Sequence, residues 1–158
     1  MIYQLFLCFF TSLSLFSCPF CPGSFAREAQ TFYEDDLVLG VYPHKPIYPN
    51  HVLAIPKRHV ERLEELTGEE MQAIFHLAKK IEEKIFQKNG LTHYLLLQKN
   101  GRSAGQTVPH AHFHMIPIAE GTWTISVLWR FFSELFYSPL REEALREKTA
   151  LLAEQISD

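Results

Sequence analysis

The sequence predicts a mixed fold of short β-strands and helices, and three observations lead to that expectation. Several short stretches are rich in branched and aromatic residues and are bounded by Pro, Asn or Gly, as strands commonly are. One longer stretch repeats its apolar residues every three or four positions, as an amphipathic helix does. The chain has 158 residues, of which 47% are hydrophobic, so it is the size of one domain with a substantial core.

Three strands are expected before the most distinctive motif, namely Leu37 to Tyr42, Val52 to Ile55 and Tyr94 to Gln98. Each is short enough for a meander. Between the second and third strands, Thr67 and Glu70 form a capping box. The apolar residues that follow predict an amphipathic helix of about 20 residues. They are Met71, Ile74, Phe75, Ala78, Ile81 and Ile85, and the pattern stops at Asn89-Gly90.

The two ends of the chain differ from this central part. Residues 1–17 carry no charge and are rich in Leu and Phe, but they lack the basic start and the Ala-x-Ala site of a secretory signal. They are also shorter than the roughly 20 apolar residues of a membrane span. At the other end, Trp123 to Tyr137 is apolar, and Ser138-Pro139 then predicts the start of a charged helix from Leu140 to about Ile156. We expect that helical tail to cover the core or a partner subunit.

The composition excludes several functional classes. The chain has 15 Lys plus Arg against 18 Asp plus Glu, a formal net charge of −3, so no nucleic-acid partner is expected. Its 7 Gly and 9 Pro do not fit a collagen-like or disordered chain. Three Cys are too few for a disulfide scaffold, and their odd number favours a reducing compartment or a metal. The eight His are unusual, because histidine serves in metal binding, proton transfer and nucleophilic catalysis.

The N-terminal segment also bears on localisation. Leu15-Phe16-Ser17-Cys18 resembles a loose lipoprotein cleavage box, but lipidation would separate Cys18 from Cys21. We therefore expect a cytoplasmic protein with an apolar N-terminal extension and no stable membrane span. An exported or lipid-anchored protein is the alternative, and a start codon placed too early would also account for the segment.

Three histidines alternate with apolar residues in His110-Ala111-His112-Phe113-His114-Met115-Ile116. In a strand the imidazoles would line one face, with Cα atoms roughly 6.6 Å apart, while the apolar residues between them would face a core. Just upstream, residues 100–107 include two glycines and several small polar residues, so backbone N–H groups there can approach an anion. This combination suggests phosphate chemistry with imidazole as the reacting group.

The spacing of these histidines leaves two functions equally open. Neutral imidazole attacks phosphorus and leaves readily once it carries phosphorus, so one His can divide a substitution into two easier steps. Three His on one face can instead hold a catalytic zinc, as in known three-His sites. Solvated histidines on an exposed face are a further alternative.

The same segment resembles the signature of the histidine triad (HIT) family of nucleotide hydrolases and transferases. The resemblance includes Asn100-Gly101 and the run Gly105-Gln106-Thr107-Val108-Pro109-His110-Ala111-His112-Phe113-His114-Met115-Ile116-Pro117. Upstream it includes His51-Val52-Leu53-Ala54-Ile55-Pro56-Lys57-Arg58-His59, Leu63-Glu64-Glu65-Leu66-Thr67 and Cys18-Pro19-Phe20-Cys21. It implies an α+β fold with a meandering antiparallel sheet, usually assembled as a homodimer. We then expect an extension over 1–17, a HIT domain over 18–121 and a helical tail over 122–158.

The resemblance also implies roles for individual residues. In that family the middle histidine, here His112, attacks the α-phosphate of a nucleotide and carries it as a covalent adduct. His114 matches the histidine that contacts the phosphate and supports the leaving group, and His51 matches a position that orients the nucleophile. The positions that bind the phosphates or the bridging atom are matched by Asn100, Gly105, Gln106 and Thr107.

Taken alone, the Cys18-x-x-Cys21 motif fits three interpretations: a redox pair, half of a zinc site or two buried thiols. In the zinc-containing branches that this sequence resembles, the pair is completed by the residues matching His59 and His110. We expect such a site to hold a structural zinc, since a zinc with four protein ligands has no open position for water.

The resulting hypothesis is a hydrolase that binds a purine nucleotide and transfers the nucleotidyl group from His112 to water. The sequence leaves open whether the substrate is a nucleoside phosphoramidate or a dinucleoside polyphosphate, and Trp123 and Trp129 are candidates for the leaving-group site. The alternatives are a nucleotide-binding or scaffold protein with incidental turnover, and a metal-dependent phosphohydrolase with zinc on the histidine triad. For His44, His76 and His93 we expect solvated surface positions. A further set of apolar residues is expected either in a base-binding pocket or, more simply, in the core: Phe20, Leu39, Val41, Leu53 and Ile55.

Overall fold

The computed structural model describes residues 18–122, 124–133, 136 and 138–158. The expected extension over 1–17, with Cys8, and the candidate Trp123 lie outside the described residues. Five antiparallel strands form one open sheet, namely β1 (Thr31–Glu34), β2 (Val38–Val41), β3 (Val52–Pro56), β4 (His93–Gln98) and β5 (Phe113–Ile118). The α-helices in the described ranges are α1 (Phe25–Gln30), α2 (Gly68–Ile81), α3 (Thr124–Ser133) and α4 (Glu142–Ser157). The expected α+β fold is confirmed.

The sheet has the order β1-β2-β3-β5-β4. β1, β2 and β3 form a meander, with Leu39 opposite Ile55 in the β2–β3 pair. Of the three strands predicted from the sequence, β2 and β3 are neighbours, whereas β4 lies at the far edge of the sheet beside β5. The chain then crosses to the far edge through α2, and β5 returns between β3 and β4, with Leu53 opposite His114. The strand that carries the last histidine is therefore central, with a neighbour on each side.

Helix α2 is built as the capping box predicts. The Thr67 hydroxyl accepts from the Glu70 N–H at 3.1 Å, and the Glu70 carboxylate accepts from the Thr67 N–H at 2.9 Å. The helical course continues through a π-helical turn over Glu82–Phe86 and a 3₁₀ turn over Gln87–Asn89, and it ends at Gly90, whose φ of +70° suits glycine. Two residues of the predicted apolar face, Met71 and Phe75, are instead exposed, because the sheet covers only the side of α2 that carries residues such as Ile74 and Ile81.

The predicted strand over His110–Ile116 begins three residues later, at Phe113. The backbone of His110 and Ala111 makes other bonds: the His110 N–H donates to the Val108 carbonyl at 2.8 Å, and the Ala111 N–H donates to the Val60 carbonyl at 2.6 Å. Only His114 lies within β5. The expected single row of three imidazoles is therefore not formed, and His110 has surroundings different from those of the other two.

The C-terminal helix α4 belongs to the core. Leu145, Leu152 and Ile156 are buried in the main hydrophobic cluster, where the helix packs on α1 and β1, two elements that the sequence did not predict. The helix begins at Glu142 rather than near Pro139, because the Leu140 N–H donates to the His44 carbonyl at 2.8 Å and holds the preceding residues in a loop.

The preceding helix, α3, carries three exposed apolar side chains. Ile125, Trp129 and Phe132 are each at least 70% exposed. Within the described ranges, no helix combines the length and the hydropathy needed to cross a membrane.

We predict that Leu152→Ala destabilises the protein by about 3 kcal/mol, because it removes a fully buried side chain from the contact of α4 with the rest of the core. The neighbouring Leu151 is 43% exposed and provides the matched control, for which Leu151→Ala should cost less than about 1 kcal/mol. Urea unfolding followed by circular dichroism measures both free energies. Equal losses would mean that α4 is not part of the cooperative core.

Candidate active site and metal site

His112 is held as a neutral imidazole with a defined tautomer. Its Nδ1 lies 2.6 Å from the His110 carbonyl oxygen, and since a carbonyl only accepts, Nδ1 carries the proton. The lone pair is therefore on Nε2. Burial is the main cause that lowers the pKa of this imidazole, and the positive charge of Lys99 lowers it further. A buried neutral imidazole with a free lone pair is a competent nucleophile.

Two further histidines, His51 and His114, lie beside His112. The Ile47 N–H donates to Nδ1 of His51 at 3.1 Å, so the proton of His51 is on Nε2, which donates to Nδ1 of His114 at 3.1 Å. Burial lowers the pKa of His51 to about 3, and that of His114 is lowered for the same main reason. The proton of neutral His114 is consequently on Nε2.

The Nε2 of His114 is buried and has no hydrogen-bond partner among the described residues. A buried N–H without an acceptor is costly, and such groups often mark the place where a ligand binds. The rings of His114 and His112 are adjacent, with centroids 4.9 Å apart. His114 therefore offers a hydrogen-bond donor next to the free lone pair of His112.

A cavity of about 670 Å³ opens beside His114, a volume typical of small-molecule sites, and neither His112 nor His51 is among its lining residues. One part of its lining is apolar, formed by Pro19, Phe20, Ala26, Pro43, Leu53, Val108 and Phe132. The rest is polar or backbone, formed by Gln30, His44, Lys45, Lys99, Gly105, Thr107 and His114. The Phe20 ring also contacts His112, with centroids 5.7 Å apart. The cavity thus joins an apolar region to the histidines and to the glycine-containing loop.

The four residues predicted to bind phosphate have two different placements. Gly105 and Thr107 line the cavity, and Gly105 has the left-handed φ of +82° that favours glycine. The Gln106 side chain instead joins the Gly101 N–H, at 2.7 Å, to the Glu61 carbonyl, at 2.8 Å.

Asn100 likewise binds protein groups, accepting from the Leu63 N–H at 2.9 Å and donating to the Glu64 carboxylate at 2.9 Å. In this arrangement Asn100 and Gln106 brace the loop and are not among the cavity-lining residues.

Sequence reasoning missed several cavity residues, among them Lys45, Lys99 and Phe132. Lys99 directly precedes the Asn100-Gly101 motif, and that adjacency was the available signal. Phe132 lies in the aromatic stretch that was considered for the leaving-group site, but the candidate Trp129 is not among the lining residues.

His44, His76 and His93 are exposed as expected, although His44 borders the cavity.

Cys18, Cys21, His59 and His110 form one cluster, with all four potential ligand atoms within 4.8 Å of one another. Sγ of Cys18 lies 3.3 Å from Nδ1 of His110, and Sγ of Cys21 lies 3.3 Å from Nδ1 of His59. Ligands of a tetrahedral zinc stand about 3.3 to 3.8 Å apart, given usual zinc–sulfur and zinc–nitrogen bond lengths. The residues therefore fit a metal of this kind.

The protonation states of the cluster agree with that fit. His110 donates from Nε2 to the Pro56 carbonyl at 2.8 Å, which leaves the Nδ1 lone pair directed at the thiols. Burial and the adjacent Cys18 raise the pKa of the Cys21 thiol to about 11, so a nearby cation is needed to hold it as thiolate.

His59 is positioned by its neighbour. Arg58 makes two 2.8 Å hydrogen bonds to the Glu70 carboxylate at the start of α2, through Nε and Nη2. This paired contact fixes the segment between β3 and α2, so that His59 lies against the His110 ring, with centroids 5.0 Å apart.

Comparison with known proteins gives concordant matches. A model described as the HIT domain matches residues 25–121. The chain is 37% identical over 94 residues to the bis(5'-adenosyl)-triphosphatase of Dictyostelium discoideum, a match covering 58% of this chain and 61% of that protein. It is 36% identical over 115 residues to the adenosine 5'-monophosphoramidase hnt1 of Schizosaccharomyces pombe, covering 73% and 81%. The crystal structure of the C. elegans NitFhit protein superposes with a TM-score of 0.67 at 28% identity, covering 80% of this chain and 27% of that one.

Proposed function

Because the chain belongs to the HIT domain family, we propose that it hydrolyses nucleotides at the α-phosphate through a covalent adduct on His112. The observation that carries the proposal is the bond from Nδ1 of His112 to the His110 carbonyl, which leaves the Nε2 lone pair free. Relatives named as a dinucleoside polyphosphate hydrolase and as a phosphoramidase support nucleotides of these two classes as substrates.

In the first step, Nε2 of His112 attacks the α-phosphorus. A phosphorus–nitrogen bond forms, and the bond from phosphorus to the leaving group breaks with its electron pair on the leaving group. The imidazolium charge that develops is stabilised through Nδ1–H by the His110 carbonyl. Nε2–H of His114 donates to the phosphate or to the departing atom, and His51 keeps that tautomer by donating to Nδ1 of His114.

In the second step, water attacks the same phosphorus and the phosphorus–nitrogen bond breaks. The electron pair returns to Nε2 of His112, and the nucleoside monophosphate leaves while the proton of the water passes to solvent. Gly105 and Thr107 are suited to contact the phosphate, since they line the cavity beside His114. Gln106 and Asn100 act as positioning residues for that loop, and the apolar lining around Phe20 accepts a purine base.

A metal-dependent hydrolysis with zinc on His110, His112 and His114 fits the geometry less well. Both ring nitrogens of His110 have other neighbours, the Cys18 thiol and the Pro56 carbonyl. Nδ1 of His112 donates to a carbonyl rather than offering a lone pair. A nucleotide-binding protein without turnover would not need a nucleophile whose tautomer is fixed in this way.

We predict that His112→Ala lowers kcat/KM for diadenosine triphosphate and for adenosine 5'-phosphoramidate by more than about 10³-fold, because both reactions lose their nucleophile. Rapid acid-free quenching followed by mass spectrometry should detect one acid-labile adenylyl group on the wild-type chain and none on the variant. His76→Ala, on the exposed side of α2, is the matched control and should retain activity. Full activity of His112→Ala would refute the covalent mechanism.

We also propose that Cys18, Cys21, His59 and His110 hold a structural zinc ion. A bound zinc ion would cross-link the segment before α1 to the segment before β5. Its four protein ligands would leave no coordination position for substrate. This site shares His110 with the nucleophile's hydrogen bond, so its integrity would affect His112 through geometry.

For the metal we expect about one zinc ion per purified wild-type chain and almost none in Cys18→Ser, because three ligands bind far more weakly than four. Cys8→Ser tests whether any cysteine substitution has this effect and should keep its zinc. Atomic absorption measures the metal, and thermal unfolding should show a lower midpoint for Cys18→Ser. A chelator should inactivate slowly, in step with unfolding, and unchanged zinc in Cys18→Ser would remove the proposed site.

The proposed assembly is a homodimer through the free edge of β4. That strand pairs only with β5 in the described part of the sheet, and Tyr94, Leu95 and Leu96 on it are each about 40% exposed. Met71 and Phe75 on α2 are exposed as well. An apolar edge strand is a template for pairing, so a second copy of the chain is the natural partner.

We also propose a reducing, cytoplasmic location, with which the absence of a disulfide at Cys18 and Cys21 is consistent.

We predict that wild-type protein sediments as a dimer and that Leu96→Glu shifts it to monomer, because the new charge would be buried at the interface. Leu37→Glu is the control, since Leu37 is equally exposed, at 38%, but lies just before β2, away from that edge. Sedimentation velocity at several concentrations measures the assembly. If Leu96→Glu remains dimeric, the interface lies elsewhere.

A further inference from the structure

We propose that Lys99, with Lys45, forms a cationic subsite for the leaving group, so that the preferred substrates are nucleotide anhydrides whose leaving group itself carries phosphate. This inference rests on the proposed hydrolysis and chooses between the two substrate classes that the sequence leaves open. It assigns a role to a residue outside the histidines and the glycine loop.

The position of Lys99 supports the subsite. Lys99 directly follows β4 and lines the cavity together with Gly105 and His114. A Cβ built on Gly105 would lie 3.7 Å from Cδ of Lys99 and 4.0 Å from its Nζ. The ammonium group therefore stands beside the turn proposed to contact the α-phosphate, in the cavity that would also receive the rest of a bound anhydride.

Among the described residues, none serves as a counterion for Lys99. Other lysines, such as Lys57 and Lys79, pair with Glu34 and Glu83, but none of the ion pairs or hydrogen bonds in the described ranges involves the Lys99 ammonium. Lys45 lines the same cavity, and none of the described lining residues is acidic. The cavity thus holds two cations and no compensating carboxylate, which favours an anionic occupant.

The two substrate classes differ in the charge that would reach these lysines. A dinucleoside polyphosphate places phosphate groups beyond the α-phosphate, and a lysine ammonium binds phosphate as a point charge. The leaving group of a simple phosphoramidate is an amine, which carries no negative charge and gains nothing from a lysine. The subsite therefore favours binding of the anhydride in the ground state. It also favours the transition state of anhydride cleavage, because negative charge develops on the departing phosphate.

The test compares two substrates in the wild type and four variants. For Lys99→Met we expect kcat/KM for diadenosine triphosphate to fall at least about tenfold, while that for adenosine 5'-phosphoramidate changes less than about threefold. Lys45→Met should show the same selectivity with a smaller loss, and Lys99→Arg should restore most of the activity on the triphosphate. Lys148→Met, which removes an exposed lysine on α4, should change neither value. Equal losses on both substrates in Lys99→Met would overturn the proposal.

A binding measurement separates failure of the subsite from failure of the proposed hydrolysis. Calorimetric titration of AMP and ATP into His112→Ala protein should give at least about tenfold tighter binding of ATP, and the added Lys99→Met change should remove that preference. If the wild-type protein cleaves neither substrate but the ATP preference is present and depends on Lys99, the result supports the cationic subsite. The same result would refute the proposed hydrolysis. If the enzyme is active and Lys99→Met leaves the ATP preference unchanged, the subsite falls.

Discussion

His110 connects the candidate metal site with His112. Its backbone carbonyl accepts a hydrogen bond from Nδ1–H of His112 at 2.6 Å, so it determines which nitrogen of His112 keeps a free lone pair. The ring of His110 donates to Pro56 and directs its other nitrogen toward the thiols. A shift of this residue would disturb the four candidate metal ligands and the tautomer of His112 together. The rest of the fold, from the Arg58–Glu70 pair to the Gln106 bridge, holds the segments on either side of it.

Much of the architecture could be predicted because its signals are local. The capping box of Thr67 and Glu70, the stop at Gly90 and the strand at Val52 each depend on residues within a few positions of one another. The four metal-ligating candidates also come together as the resemblance implies, because Cys18 and His59 lie in matched segments. Patterns of this kind require no knowledge of how distant parts of the chain meet.

The features that could not be predicted depend on contacts between distant parts of the chain. Asn100 has the residue type of a phosphate ligand, yet its amide is used by Leu63 and Glu64, which lie more than thirty positions away. The late start of β5 follows from a bond between Ala111 and Val60. The cavity position of Lys99 likewise depends on the fold of the neighbouring loop, and composition alone would have made it an ordinary surface lysine.

The contact of α4 with α1 and β1 joins the two ends of the described chain. During synthesis the strands, the histidines and the glycine loop all emerge before α4, whose Leu145 and Leu152 complete the same hydrophobic cluster. A nascent chain therefore exposes apolar surface of Ala29 and Phe32 until α4 has been made and can pack against them. The hydrophobic cluster should be complete only once α4 has emerged from the ribosome, and chains truncated within α4 should be substrates for chaperones and proteases rather than slightly weaker enzymes.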